Sequence, residues 1–452
     1  MTGVSAAPTL LWFRQDLRLA DNPALAAALE RSSPVIPVFI WAPEEEGDWP
    51  PGAASRWWLH QSLGSLSAEL EKRGSRLIIR RGPTAAALSG LVAESGASAV
   101  FWNRRYEPAA VSRDREVESK LRDNGAIAET FNGSLLFEPW SIRNSSEQPF
   151  RVFTPFWRAC LTKPLTAIGE DAPEHMLSPD QWPHSLDLAE LSLEPVVDWA
   201  GGFRQVWQPG EAGARSQLRR FLREALVEYP VNRDRPALVG TSRLSPHLHF
   251  GEISPGEVRR AILGVANGNH AACEAYLRQL GWREFAYHLL YHHPQSPHQA
   301  LRREFAAFPW RMHPANFQAW KRGKTGYPLV DAGMRELWHT GWMHNRVRMV
   351  VASFLVKHLL IEWQAGAAWF WDTLVDADLA NNSLGWQWVA GCGADAAPYF
   401  RIFNPAIQAG RFDPSGGYIG RWVPESQHLL PIIDHGEARE RALAALKSIK
   451  RG

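Results

Sequence analysis

Residues 376–405 gather Asp376, Asp378, Asn381, Asn382, Trp386, Trp388, Asp395 and Arg401 into thirty positions. A segment selected only for packing would carry Leu, Ile and Val. Acids and amides are costly to bury unless something hydrogen-bonds them. Next to two Trp separated by one Gln, they suit a flat heteroaromatic partner that is both stacked and hydrogen-bonded. Helix N-caps at Asp378 and Asn382 plus two core Trp would explain the same residues, and the segment alone leaves both readings open. A helix expected over 343–360 shifts the balance. Asn345, Arg348, Met349 and Ala352 fall at i, i+3, i+4 and i+7 and share one face, opposite Val347, Val350, Val351, Phe354 and Leu355. That face offers an amide, a cation, a thioether and a gap, and Asp376 or Asp378 is expected to pair with Arg348.

Two further groups carry chemistry. Gly240-Thr241-Ser242-Arg243-Leu244-Ser245-Pro246 places small hydroxyls before a helical stretch, an arrangement that either caps the helix or seats an anion. In the helix expected over 270–291, Gln279, Trp282 and Arg283 lie at i, i+3 and i+4. An amide, an indole and a cation on one face suit a stacked base near a phosphate, with a core role for Trp282 as the competing reading. Trp310, Trp363 and Trp386 are spread along the same half, and spacing alone cannot align them.

The elements that must position these residues divide in two. Strands are expected at 9–13, 35–41, 76–80, 99–103 and 127–131, alternating with helices at 22–30, 55–73, 84–94 and 109–122. Short apolar strands between helices imply an N-terminal α/β doubly wound parallel sheet, with a ligand crevice at the strands' carboxyl ends. Those ends carry Arg14-Gln15-Asp16, Trp41-Ala42-Pro43 and the run 102–108, where a second small-molecule site is expected. No G-x-G-x-x-G follows the first strand, so an ordinary dinucleotide site is unsupported. Residues 135–205 are rich in Pro and read as an ordered connector, because Phe137, Trp140, Phe153, Phe156 and Trp157 must be buried somewhere. From 206 the chain reads as an all-α C-terminal domain, with further helices expected at 213–227, 255–266, 315–322, 328–339, 366–374, 380–389 and 436–448. The expected domains are therefore 1–134, 135–205 and 206–452.

A chain of 452 residues exceeds a single core. Its formal net charge of +2 excludes bulk polyanion binding, so any nucleic-acid contact must use a local basic surface. The three Cys are far apart and fit a reducing cytoplasm, with neither a disulfide framework nor a metal site expected. No signal peptide or long apolar run predicts a membrane contact.

Ordered motifs spanning both halves resemble the photolyase/cryptochrome flavoproteins. They are Leu11-Trp12-Phe13-Arg14-Gln15-Asp16-Leu17-Arg18, residues 241–246 and 281–285, Gly326-Tyr327-Pro328-Leu329-Val330-Asp331, Gly341-Trp342-Met343-His344-Asn345-Arg346 and the segment 376–405. The likeness is closest to the cyclobutane pyrimidine dimer DNA photolyases. Ile40-Trp41-Ala42-Pro43-Glu44-Glu45-Glu46-Gly47, Ser55-Arg56-Trp57-Trp58-Leu59 and the run 103–108 are similar to the bacterial class III branch, beside plant cryptochromes.

The resemblance implies FAD held in a U shape by the helical domain. Its phosphates would sit on Thr241, Ser242, Leu244 and Ser245, with Tyr229, Tyr276, Arg283 and Trp342 around it. Arg348 and Asp376 would pair beside the ring system, Asp378 would bind near the ribityl chain, and Asn382 would face flavin N5. The implied activity is that of a deoxyribodipyrimidine photo-lyase: electron transfer from excited FADH⁻ to a dimer flipped out of DNA. Trp282, Trp388, Gln279, Asn345 and Met349 would contact the dimer. Arg233, Arg346, Arg401 and Gln408 would hold DNA, mainly through phosphates. Trp386, Trp363 and Trp310 would carry the electron during photoreduction. A methenyltetrahydrofolate antenna is implied near Glu107 and the loops at Trp41 and Asn103, with an 8-hydroxydeazaflavin as the alternative. The chain departs from the family by having Gln279 where many dimer photolyases have Glu, and Ala109-Ala110 where other bacterial enzymes hold folate with Asn-Glu. Asn345 and Met349 argue against a (6-4) photolyase, which would need His there for proton transfer. A cryptochrome-type blue-light receptor is the alternative function; Asn382 and the lack of a long C-terminal extension argue against it. Dimer-containing DNA is the expected partner, of a cytoplasmic, nucleoid-associated monomer that needs no obligatory protein partner.

Overall fold

The computed structural model describes residues 7–164, 171–266, 269–396, 400–426 and 430–449; positions 397–399 of the Asp/Trp segment lie outside them. Five strands form one parallel sheet: β1 (Thr9–Phe13), β2 (Val35–Trp41), β3 (Ile78–Arg81), β4 (Ala99–Asn103) and β5 (Ile127–Phe131), in the order β3-β2-β1-β4-β5. The first, second and fourth strands are buried along their whole length, as a sheet covered on both faces requires. Helices α1 (Pro23–Glu30), α2 (Ala53–Glu71), α3 (Thr84–Ser95) and α4 (Pro108–Asp123) cover it. β3 starts two residues later than the expected 76, and Asn22 caps α1 through its side chain.

The remaining helices are α5 (Phe153–Leu161), α6 (Gly201–Val206), α7 (Glu211–Glu224), α8 (Tyr229–Asn232), α9 (Ser245–His249), α10 (Pro255–Gly264) and α11 (His270–His292). They continue with α12 (Pro314–Lys321), α13 (Pro328–Thr340), α14 (Asn345–Ser353), α15 (Trp363–Thr373), α16 (Leu379–Ala390), α17 (Pro405–Phe412), α18 (Gly417–Trp422) and α19 (His435–Ile449). The single helix expected over 343–360 is two pieces. α14 stops at Ser353 and a π-turn, Phe354–His358, follows. This widening lets the buried Lys357 reach the Ala390 carbonyl (2.9 Å), satisfying a group at the carboxyl end of α16.

The 135–205 segment is built into the helical core. Phe153, Phe156 and Trp157 are buried with Phe285 of α11. Trp140 is the exception: it stays 38% exposed, resting against Tyr106 and Tyr291. Two contacts lock sheet to helices. Trp371 Nε1 donates to Pro50 O (2.7 Å), and Asp372 Oδ1 accepts from Ala53 N–H (2.9 Å). Buried Glu252 accepts from Trp58 Nε1 (2.9 Å) and Gly210 N–H (2.7 Å), tying α2 to the chain entering α7. Among the described residues no helix is long and apolar enough to cross a membrane.

Candidate functional site

α14 packs on α16 and α16 on α11, and Trp342, just before α14, reaches Ser245 of the 240–246 loop; these elements border the candidate groove. Its floor is an ion pair: Arg348 Nη2 contacts both oxygens of Asp376 (2.8 and 3.0 Å), while its Nε donates to Met343 O (2.7 Å). Of the two expected partners it is Asp376 that pairs. Asp378 instead caps α16 through Asn381 N–H (2.8 Å) and accepts the Tyr287 hydroxyl, with His249 Nδ1 at 3.6 Å. Burial disfavours charge on Asp378, but His249, Arg283 and the Tyr287 hydroxyl outweigh it and hold the carboxyl well below the usual range. His249 and Tyr287 escape sequence reasoning because they reach Asp378 across 129 and 91 positions, 378 − 249 and 378 − 287.

One turn further, Asn382 Nδ2 donates to Ala367 O on α15 (3.0 Å). That bond orients the amide, leaving Oδ1 as its acceptor end. His344 caps α14 by accepting from Arg346 N–H (3.2 Å); burial pushes its imidazole down to about 4, which keeps it a neutral acceptor. It thereby sets the first turn that carries exposed Asn345.

The hydroxyl cluster lies on the other side. Tyr276 hydroxyl bonds Ser242 Oγ (2.9 Å), and Trp342 Nε1 donates to Ser245 Oγ (3.3 Å). Leu244 is buried, and its N–H donates to Ser242 Oγ (3.3 Å). Tyr229 packs edge-on to Tyr276 at 5.3 Å. Arg243 adopts φ +52 and lies over Trp342, 4.8 Å from the ring centroid. A left-handed non-Gly residue is strained, and such strain is held where a loop is shaped for a ligand.

Trp282 and Trp388 converge through shared neighbours. Trp282 stacks on Phe153 at 3.8 Å, and Trp388 Nε1 donates to Asp395 O (3.2 Å), whose carboxylate accepts the Phe153 N–H. Both indoles are half-buried, so each keeps an open side. Gln279 accepts from Arg233 (3.1 Å) and donates to Ala275 O (3.1 Å). Arg346 pairs with Asp234 (2.8 Å) and touches Met349 Sδ (3.6 Å). Exposed Arg401 lies over Trp388 (5.8 Å), and Gln408 sits on α17, whose element also packs on α13. Arg283 is differently engaged. It donates to Ser134 O (2.8 Å) and flanks Glu284 (3.5 Å), so it binds the chain entering the connector to α11. Trp386 and Trp363 are buried in one core with half-buried Trp310, but their ring contacts run to other aromatics. Trp386 meets Phe370 (5.0 Å) and Trp320 (6.3 Å), and Trp310 meets Phe308 (4.3 Å).

A second cavity lies between sheet and helices, lined by Trp12, Arg14, Trp41, Glu46, Arg105 and Arg113 and closed by His249 and Trp371. Glu46 bonds Arg105 (2.7 and 2.9 Å) and Arg113 (3.0 Å). Burial opposes charge on Glu46, but Arg105 and then Arg113 bring it down to about 2. Glu107 turns away from the cavity, to Arg105 Nε (3.2 Å) and Tyr106 N–H (3.1 Å). Asn103 is likewise spent inside the fold, on Asp16 (2.6 Å) and Asn22 (2.8 Å). The crevice at the strand ends is therefore filled by protein near β4 and open near β1 and β2.

Comparison with known proteins identifies the family. A family model for the FAD binding domain of DNA photolyase matches residues 276–432, and one for DNA photolyase matches residues 9–176. The chain belongs to the DNA photolyase family. It is 47% identical to a deoxyribodipyrimidine photo-lyase of Agrobacterium fabrum, covering 99% of each chain. It is 42% identical to Cryptochrome-1 of Arabidopsis thaliana, covering 94% of this chain and 64% of that one. The crystal structure of a bacterial class III photolyase from Agrobacterium tumefaciens superposes with a TM-score of 0.96 at 46% identity, covering 100% of both chains. The helical half is thus a photolyase-type FAD-binding domain. Its residues fit that cofactor: the Ser242 and Ser245 hydroxyls take O–H and N–H partners from Tyr276 and Trp342, and buried His249 Nδ1, 3.6 Å from Asp378, has no hydrogen-bond partner among the described residues.

Proposed function

We propose that this photolyase repairs cyclobutane pyrimidine dimers in DNA under light. The observation that carries the reading is that the packed helices α11, α14 and α16 carry the oriented Asn382 amide, the Arg348 side chain paired with Asp376 and the half-open Trp282 and Trp388 rings. When bound in reduced form, FAD supplies the excited electron that splits the dimer and takes it back afterwards. The chain's own residues do the rest. Thr241, Ser242, Leu244 and Ser245 hold the diphosphate, with Tyr229, Tyr276 and Trp342 as walls. Arg348 is neutralised by Asp376, so it can lie beside the ring system without adding net charge to a dry site. Asn382 offers a neutral oxygen that can accept a proton-bearing N5 and cannot ionise.

Trp282 and Trp388 give the flipped dimer two apolar walls and exclude water from it. Asn345 and Gln279 hydrogen-bond pyrimidine edges, and Met349 fills the space beside them. Gln279 cannot give up a proton, so lesion recognition there rests on hydrogen bonds alone. Arg233, Arg346, Arg401 and Gln408 rim the opening, where they grip phosphates and carry no sequence information. Arg283 acts on the site by positioning α11. Trp386, Trp363 and Trp310 serve photoreduction, which restores reduced flavin and is separate from repair. Trp386→Phe is therefore expected to impair light-driven reduction yet spare repair by chemically reduced protein; equal loss of both would remove Trp386 from that role.

The second cavity suits an antenna with donor and acceptor edges. Glu46 can take amine or ring N–H groups, and Arg105 and Arg113 can take carboxylates. That chemistry favours methenyltetrahydrofolate over 8-hydroxydeazaflavin, with Glu46 in the contact role and Glu107 behind Arg105. The domains are read as 1–134 for the antenna, 135–205 as connector and 206–452 for flavin and DNA, acting in the cytoplasm on the nucleoid as a monomer.

The test uses flavin-loaded, reduced protein and DNA carrying defined cyclobutane thymine dimers. Thymine absorbance should recover under near-ultraviolet light, and neither in the dark nor with (6-4) lesions. Normal photoreduction without repair would overturn the reading in favour of a cryptochrome-type receptor.

A further inference from the structure

A third concavity lies on the side of α15 remote from Asn382. Ala367, whose carbonyl binds Asn382, and Trp369 are two positions apart and so point to opposite sides of that helix. The concavity is lined by Gln318, Lys321, Arg322, Lys324, Trp338 and Trp369, among others. None of these belongs to the groove or to the cavity under the sheet.

Three observations identify its chemistry. Trp338 is 62% exposed and lies parallel to Trp369, with centroids 6.3 Å apart and planes 1° from coincidence in direction. A large aromatic held flat at the surface presents an open stacking face. Lys321, Arg322 and Lys324 have no carboxylate partner among the described residues, whereas nearby Arg335 is neutralised by Glu425 (2.6 Å). Lys321 Nζ lies over the Trp369 ring, 4.4 Å from its centroid, so its charge sits beside the exposed Trp338 ring. Finally, Trp369 Nε1 and Trp422 Nε1 are buried without an acceptor among the described residues, leaving two N–H donors unpartnered. A flat π-face, an uncompensated cluster of cations and spare donors together call for a planar heteroaromatic anion.

We propose that this concavity binds a nucleotide, with its base stacked on Trp338 and its phosphate among Lys321, Arg322 and Lys324. Phosphate alone would use the cations and leave the aromatic pair unexplained; an uncharged ring would do the reverse. The same chemistry is offered by a free mononucleotide and by one residue of a single strand.

The test is equilibrium dialysis of AMP against the flavin-loaded full chain, with inorganic phosphate as competitor. Saturable binding is expected that weakens about fivefold or more in Trp338→Ala, the scale of about 1 kcal/mol of lost base stacking. A Lys321→Gln/Lys324→Gln double variant should weaken it comparably and flatten its salt dependence. The flavin spectrum and melting temperature of each variant verify folding; if one variant fails to fold, the other still decides. Unchanged AMP affinity in a folded variant, or displacement of AMP by phosphate at equal concentration, overturns the proposal. Hexadeoxyadenylate separates the sources: a Trp338-dependent affinity above that of AMP assigns the site to a strand, and one equal to or below it assigns it to free nucleotide.

Discussion

The cavity under the sheet and the groove at α14 manage charge in different ways. Around the cavity three guanidinium groups that line it meet three carboxylates, of which Glu46 alone lines it. Arg14 meets Asp114, Arg105 meets Glu46 and Glu107, and Arg113 meets Glu46 and Asp114. Glu46 and Asp114 are each shared by two guanidinium groups, so losing one contact strands neither of them. Beside the groove Arg233 and Arg346 share one acid, Asp234, at 4.0 Å from the first and 2.8 Å from the second, and exposed Arg401 has no acidic partner among the described residues. The Arg348–Asp376 pair beneath the groove has no second ionic partner among the described residues. A balanced cavity suits a small molecule of mixed polarity. A mouth with surplus cations suits a phosphate backbone, and it does so in a chain whose net charge is only +2.

The strongest way to break this contrast is Arg348→Met. It strands the buried Asp376 carboxylate, and the expected cost is about 3 kcal/mol of stability together with loss of co-purifying flavin. Melting temperature and the flavin-to-protein absorbance ratio measure both. A stable, flavin-replete variant would mean that the floor is not held by this pair.

Asn382→Asp comes next. It removes the donor to Ala367 O and sets a carboxylate against a carbonyl, at an expected cost of about 2 kcal/mol. The flavin absorbance of the purified variant should also shift, because the amide that it replaces lies on the groove.

Glu46→Gln should cost less, about 1 kcal/mol, because Arg105 keeps Glu107 and Arg113 keeps Asp114. Denaturant titration would check it. A loss as large as that of Arg348→Met would erase the distinction between shared and single partners.

The smallest effect is a change of slope with pH, and it sharpens the comparison through two glutamates of opposite sign. Burial pushes Glu284 up to about 7 despite Arg283 and the Leu136 and Phe137 N–H groups that it accepts. Folding therefore favours its protonated form. That stability is complete below the unfolded value of 4.5 and is lost as pH rises toward 7. Glu46, held at about 2, contributes stability that is present above 4.5 and lost as pH falls toward 2. Melting curves from pH 5 to 8 should therefore flatten in Glu284→Gln and stay unchanged in shape in Glu46→Gln.

Much of the scaffold could be read from local pattern. Strands at Thr9–Phe13, Val35–Trp41 and Ala99–Asn103 announce themselves by short apolar runs between helices, because a parallel strand buried on both faces must be apolar throughout. The Asn345–Arg348–Met349 face and the Asp378 cap follow from helical period and from side-chain chemistry within a single turn. Even the acid beside Arg348 was narrowed to two positions.

What the local pattern could not carry is everything closed across distance. Glu46 finds Arg105 and Arg113, Tyr287 finds Asp378, and Phe153 of the connector supplies the stack for Trp282. Glu107, singled out by its motif, is turned inward by Arg105, and Asn103 is absorbed by Asp16 and Asn22. Where the helix through Lys357 widens, its amine meets a carbonyl on another helix. Period and composition tell each residue which side of its own element it occupies. Which partner waits on that side is decided only when the elements pack, since a buried charge or amide must take whichever partner the assembled fold brings within hydrogen-bond reach.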